Sequence, residues 1–373
     1  MSETLAQELK DIFEDNSEGD TMGSVAFDNA EITTDTLKND MDEICSLLES
    51  EIIDSKASEE EKKHMLKNLR AFYNTETNIM LVGATGSGKS STINALFSIR
   101  GSTDEDADND RHIVCEIAKV GSKADPETKD IEKYRIGNLI LWDTPGFGDG
   151  TENDVHHRNV ITELLRERNS DGKRLIDFVL VIMDASSRDL GTTYKIINEV
   201  IIPELDGDTS KILIVLNQAD VSMKTGRHWD YEKNEPDETL MKFLDEKAES
   251  IKKRIKEDTN LDITPVYYCS GYSEENGDTV KPYNLSKLLY CILSAIPAQN
   301  RLSVMEGVNT DKTNFEHNDG KEDYNKSVRK EYFDAVDAFS KVGDTILGLP
   351  GFFIGATIGG VVESVKAIIE VIF

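Results

Sequence analysis

Residues 78–97 hold the densest chemical signal in the chain. Ile79, Met80, Leu81 and Val82 form a short apolar run suited to a buried strand. Gly83-Ala84-Thr85-Gly86-Ser87-Gly88-Lys89-Ser90 follows and meets the pattern G-x-x-x-x-G-K-[ST] at every position. Ser91 to Phe97 then predicts a helix, with Ile93, Leu96 and Phe97 available to the core. In that context the glycines let the backbone curl so that successive N–H groups point at one anion. The helix N-terminus adds its partial positive charge at the same place. Residues 83–91, Ser91 included, are therefore the expected phosphate-binding set. Lys89 can reach the β- and γ-phosphates, and the Ser90 hydroxyl can ligate Mg²⁺. A plain glycine-rich turn before a core helix would not need the full pattern and both flanks.

Two further motifs follow apolar strands. Trp142-Asp143-Thr144-Pro145-Gly146 closes a hairpin read from Ile131–Ile136, a turn at Gly137-Asn138, and Leu139–Leu141. An Asp at a strand end after such a loop is suited to organising Mg²⁺, and Gly146 can place its N–H against a γ-phosphate. Asp143 stands 54 residues beyond Lys89. Ile212 to Leu216 is a later apolar run and ends in Asn217-Gln218-Ala219-Asp220. A carboxylate such as Asp220 can accept from both N1–H and the exocyclic amine of guanine, whereas adenine has no matching donors. Asn217 can hold the loop and contact the other base edge. A last strand, Pro265 to Cys269, leads into Ser270-Gly271, where a loop backbone could meet the guanine oxygen.

These residues carry a resemblance. The chain is similar to P-loop GTPases of the translation-factor-related class, in the broad Era-like group. The run Gly86-Ser-Gly-Lys-Ser-Ser-Thr-Ile-Asn94 also resembles septin, Toc and immunity-associated GTPases. The resemblance covers roughly residues 75–296 and implies a doubly wound, mostly parallel α/β domain that binds GTP and GDP with Mg²⁺. It implies that Gly83, Gly88, Lys89 and Ser90 bind phosphate and Mg²⁺, and that Asp143 and Gly146 sense the γ-phosphate. It assigns guanine reading to Asn217 and Asp220, with Gln218, Ser270 and Gly271 beside them. A threonine should also close over Mg²⁺ just before the second strand. Thr128 stands there, and Thr103 is its competitor farther from the strand. Lys89 and Thr128 are thus the expected catalytic pair, and Ser90, Thr128 and Asp143 the expected metal ligands.

Three departures from the family pattern bear on function. Gln218 replaces a lysine whose stem normally packs along the base, which predicts reduced affinity. Phe147 stands where several GTPases place a water-orienting Gln, and a phenyl ring neither donates nor accepts. No basic RNA-binding domain follows the nucleotide motifs. Slow hydrolysis is the expectation, with a second copy across the nucleotide or another partner completing the site.

The elements around these motifs fill 373 residues. A net charge of −29 argues against a protein that coats nucleic acid, because phosphate neutralisation needs clustered Lys and Arg. Four scattered cysteines and the absence of a basic and apolar leader at Met1-Ser2-Glu3-Thr4 predict a reduced, cytoplasmic setting. The pair His156-His157 reads as a solvated loop or helix face. Residues 1–74 predict acidic amphipathic helices, on Leu5, Leu9 and Phe13, then Met41 to Ile53, then Met65 to Phe72. Residues 75–298 are the expected G domain. Ile99 to Glu127 reads as a solvated loop, and its acidic run Thr103–Asp110 lacks the Gly and Glu of a calcium loop. Residues 299–326 read as a polar linker. In 327–373 a helix is expected over about 328–342, followed by Thr345 to Val362 without any charge. Gly351, Gly355 and Gly359 recur there at four-residue spacing, a ladder that lets helices approach closely. Two readings stand for 345–373: peripheral membrane association, or a buried helical hairpin.

Overall fold

The computed structural model describes residues 46, 49–50, 52–54, 58–97, 131–148, 151–188, 190–223, 225–273, 279–309 and 311–347. The expected helices before residue 46, Thr128, its competitor Thr103, and the glycine ladder of Gly351, Gly355 and Gly359 lie outside the described residues.

Helix α1 is Glu59–Tyr73. Ser58 and Glu61 cap it reciprocally: the Ser58 N–H and Oγ donate to Glu61 Oε2 at 2.8 and 2.7 Å, and the Glu61 N–H donates back to Ser58 Oγ at 3.4 Å. Strand β1, Thr77–Gly83, is buried along its whole length, as its unbroken apolar run requires. Helix α2, Lys89–Leu96, follows it directly. Strands β2 (Glu132–Ile136) and β3 (Leu139–Asp143) form the expected hairpin, and helix α3 spans Thr151–Arg166. Strand β4 is Phe178–Asp184, followed by α4 (Gly191–Ile196), a π-turn at Ile197–Ile201 and α5 (Ile202–Glu204). Strand β5 (Ile212–Asn217) precedes a small hairpin of β6 (Trp229–Asp230) and β7 (Glu235–Pro236), then α6 (Glu238–Thr259). Strand β8 (Val266–Tyr267), the short pair β9 (Tyr272–Ser273) and β10 (Thr279–Val280), and helices α7 (Leu285–Ala295), α8 (Ala298–Glu306) and α9 (Tyr324–Leu347) follow within the described residues.

The principal sheet has the order β2-β3-β1-β4-β5-β8. Only β2 runs antiparallel; β3, β1, β4, β5 and β8 are parallel. Alternate residues of β1 face opposite sides. Met80 and Val82 join one buried cluster with Ile161 and Leu164 of α3 and Leu240, Leu244, Ile251 and Ile255 of α6. Helices α2 and α8 pack against β1 and β3. From β1 the chain builds outward first to β3 and then to β4 on the other side. That reversal opens a crevice at the carboxyl ends of these strands, where ligands of open α/β sheets bind. The glycine loop leaves β1 at this point.

Two expectations need correction. Residues 299–326 do not form a linker. Leu302, Val304 and Met305 of α8 are buried, as is Phe315 in a 3₁₀ turn at Lys312–Phe315. Polar side chains of this stretch bond side-chain and backbone groups of the preceding domain instead. Asn300 Nδ2 donates to Thr77 Oγ1 at 3.0 Å, and Ser303 Oγ donates to the Thr75 carbonyl at 2.9 Å. Arg301 pairs with Glu331 of α9 at 2.6 Å, and Lys287 with the buried side chain of Asp319 at 2.7 Å. The last strand is also shorter than Pro265–Cys269. Tyr268 still donates its N–H to the Leu216 carbonyl of β5 at 2.8 Å and turns its hydroxyl to Thr92, whereas Cys269 pairs with Tyr283. Among the described residues no helix is long and apolar enough to cross a membrane.

Candidate functional site

The loop Gly83–Gly88 turns back on itself beneath its own lysine. Lys89 Nζ donates to the carbonyls of Gly83 and Ala84 at 3.4 and 3.3 Å, and Lys89 is buried. Thr92 fastens the start of α2: its Oγ1 donates to the Gly88 carbonyl at 2.7 Å and lies 2.5 Å from the hydroxyl of the fully buried Tyr268. Gly88 has φ +89°, and a Cβ there would meet Asn217 Nδ2 at 2.1 Å. Only glycine serves at that crossing.

Asp143 ends β3 beside the loop. Ser90 Oγ donates to Asp143 Oδ2 at 2.6 Å, while Asp143 Oδ1 is buried without a partner among the described residues. Burial pushes the Asp143 carboxyl above its ordinary range, against the Ser90 hydrogen bond and the Lys89 charge. A hydroxyl touching a carboxylate that has one orphaned oxygen is a hard-oxygen donor set. It fits Mg²⁺, which takes few protein ligands and fills its octahedron with water and phosphate oxygen.

The segment after Asp143 lies along the glycine loop. The Thr85 N–H donates to the Phe147 carbonyl at 2.9 Å, and the Phe147 N–H to the Gly83 carbonyl at 3.3 Å. Gly146 is pressed so close that an added Cβ would stand 2.5 Å from Thr85 N and Cα. The Phe147 ring is buried in the core. It sits edge-on to His157 with the ring centroids 6.2 Å apart. His157 is buried too, which corrects the reading of the His156-His157 pair as solvated; His156 alone is exposed. The His157 Nδ1 lies 2.9 Å from the Gly146 carbonyl, and since a carbonyl only accepts, Nδ1 carries the proton. Helical phase could have shown this. His157, Ile161 and Leu164 share one face at spacings of four and three, and both apolar residues are buried.

Asn217 joins three loops. Its Nδ2 donates to the Ser87 carbonyl at 3.1 Å and to Ser270 Oγ at 3.3 Å, and its Oδ1 accepts from the Ser270 N–H at 3.1 Å. Gln218 has φ +62°, and its Nε2 donates to the Gly86 carbonyl at 2.8 Å. The residue in the lysine's place therefore tethers the phosphate loop. Asp220 is buried, and burial raises its carboxyl. Its Oδ1 accepts from the Cys269 thiol at 3.2 Å, and its Oδ2 is buried with no partner among the described residues. The sequence motifs thus converge on one crevice: Gly83–Ser90, Asp143 and Gly146 at one end, Asn217, Gln218, Asp220, Ser270 and Gly271 at the other. His157, Thr92, Tyr268 and Cys269 join them and were not anticipated.

The septin family model matches residues 73–171, a stretch from the end of α1 into the loop after α3. No curated protein matches the chain. A crystal structure of a probable GTP-binding protein engB shares 17% identity, covering 59% of this chain and 98% of that one, with a TM-score of 0.33. An oligomerised bacterial dynamin pair shares 18% identity, covering 90% of this chain and 57% of that one, with a TM-score of 0.40. A GTP-binding protein from the archaeon Sulfolobus solfataricus in complex with GDP shares 17%, covering 72% and 68%, with a TM-score of 0.32. The fold is consistent with that of a P-loop GTPase G domain. Its mostly parallel six-stranded sheet, flanking helices and phosphate loop between β1 and α2 carry that assignment.

Proposed function

We propose that this chain binds GTP and GDP with Mg²⁺ and hydrolyses GTP slowly, the two nucleotide states changing the loops beside the γ-phosphate. The observation that carries this reading is Asn217, which ties the phosphate loop at Ser87 to the Ser270 loop beside the buried Asp220. Phosphate and base recognition are thereby held in one rigid frame. In this reading Lys89 neutralises the β- and γ-phosphates, and the Gly146 N–H meets the γ-phosphate. Ser90 and Asp143 would hold Mg²⁺, which supplies charge neutralisation between those phosphates. Asp220 accepts from guanine N1–H and the exocyclic amine. Phe147 is buried and offers no group to orient water, so turnover in the isolated chain should take minutes or longer, on the order of switch GTPases without an activator.

The test is binding of fluorescent GTP with unlabelled GTP, GDP and ATP as competitors. Lys89→Ala should lose tight binding, because it removes the only cationic side chain in the loop. Unchanged affinity in that variant, or equal competition by ATP, refutes the reading.

A second reading is GTP-gated self-association or action at a membrane. The uncharged stretch Thr345–Val362 with its glycine ladder favours it. Pelleting of the full chain and of a chain ending before Thr345 with liposomes, in GTP and in GDP, decides it. Equal recovery of both chains refutes a membrane role for the tail.

A further inference from the structure

We propose that Cys269 is a positioning residue for base selection: its thiol holds the Asp220 carboxylate and thereby sharpens discrimination of guanine from bases lacking the exocyclic amine. This rests on the reading of Asp220 as the guanine-reading carboxylate.

The backbone fixes Cys269 first. Its N–H donates to the Tyr283 carbonyl at 3.0 Å, and its carbonyl accepts from the Tyr283 N–H at 2.9 Å. With both groups committed, and only 2% of the residue exposed, its side chain has a fixed origin. Sγ lies 3.2 Å from Asp220 Oδ1. An ionised carboxylate only accepts, so the thiol is the donor. The sulfur in turn accepts from the Gly271 N–H at 3.4 Å. One chain of polarity therefore runs from Gly271 through Cys269 to Asp220, joining the two loops expected to face the base. Burial, and then the adjacent Asp220 charge, pushes the Cys269 thiol up, which keeps its proton in place as a donor.

The thiol leaves Asp220 only partly satisfied. Oδ2 is buried and has no partner among the described residues. A buried acceptor without a donor is costly, so the site favours a ligand that brings donors to that carboxylate. Guanine brings two; hypoxanthine brings only N1–H. By orienting Oδ1, Cys269 decides whether both guanine donors can be met at once. A merely space-filling cysteine would behave as a small hydrophobe and leave that choice untouched.

The experiment measures dissociation constants of the full-length chain for GTP and ITP, with ATP as a third competitor. The variants are Cys269→Ala and Cys269→Val, neither with a donor, and Cys269→Ser, which restores one. Wild type should prefer GTP to ITP. Both donor-free variants should shrink that ratio about three- to tenfold, the worth of one modest hydrogen bond. Ser should keep the ratio within about twofold of wild type by the same measure. If the Ala variant does not fold, Val fills the volume and reports the same ratio. In an Asp220→Asn background, Cys269→Val should add no further change, since its effect passes through Asp220. An unchanged GTP-to-ITP ratio in the donor-free variants, with all nucleotides weakened equally or only stability lost, overturns the proposal. A wild type that prefers neither GTP to ITP nor GTP to ATP overturns the base-reading role of Asp220 itself, and the proposal with it.

Discussion

Replacing Gly146 by Ala tests whether the segment after β3 is held against the phosphate loop by close backbone contact. The added Cβ would lie 2.4 Å from Thr85 Oγ1 and 2.5 Å from Thr85 N and Cα. The hydroxyl could rotate away, but the backbone atoms cannot. Ordinary carbon contacts begin near about 3.5 Å, so the two strands of backbone must part by about 1 Å. That movement takes the 2.9 Å bond from the Thr85 N–H to the Phe147 carbonyl, and the 3.3 Å bond from the Phe147 N–H to the Gly83 carbonyl, beyond hydrogen-bonding range. Each lost bond costs about 1 kcal/mol. With residual strain of overpacking, destabilisation should be about 2–3 kcal/mol. For a domain of this size that lowers the melting temperature by about 5–10 °C. Urea denaturation gives the free energy, and calorimetry the temperature. Because Gly146 is also the proposed γ-phosphate contact, affinity for a non-hydrolysable GTP analogue should fall more than affinity for GDP. A stability change under about 0.5 kcal/mol would refute the close-packing argument, being the size of an ordinary surface substitution. Equal loss of both nucleotides would refute the γ-phosphate role.

The remaining expectations concern the base and the Asp319–Lys287 pair. Asp220→Asn should move preference from guanine towards xanthine, because the amide offers a donor to the oxygen that replaces the amine; competition by XTP and GTP reads it, and an unmoved preference contradicts the role. Asp319 should govern part of the acid limb of stability. Burial alone would raise its carboxyl, but the Lys287 ion pair and the bonds from the Lys321 N–H and the Tyr324 hydroxyl outweigh it and hold it below the ordinary range. A carboxyl depressed on folding stabilises fully above its unfolded value, about 3.9, and that contribution is lost as pH falls through the folded value. Urea midpoints should therefore drop below about pH 4 in wild type. Asp319→Asn should flatten that limb and cost about 3 kcal/mol at neutral pH, since it strands the mostly buried Lys287. An acid limb of unchanged steepness in the variant would mean that other carboxylates set it.

The phosphate loop was legible because it is local. Eight consecutive residues between an apolar run and a helix encode strand, turn and cap without help from elsewhere, and β1 and α2 lie where they were expected. The run from Ile212 to Leu216 was equally plain, since a strand buried on both faces needs near-continuous apolar residues. Tertiary structure alone decided the partnerships. Asn217 meets Ser87 across 130 residues, and Cys269 meets Asp220 across 49. Neither pairing leaves a periodic trace in the chain. Residues 299–326 looked like a linker because the stretch is polar, with Asn309-Thr310-Asp311-Lys312 and Asn318-Asp319-Gly320, yet Asn300, Ser303 and Asn309 each bond a backbone or side-chain group of the preceding domain. Composition cannot distinguish a polar side chain that faces water from one that satisfies a buried backbone group. That difference exists only once the sheet has placed β1 and α2 beneath α8 and the segment that follows it.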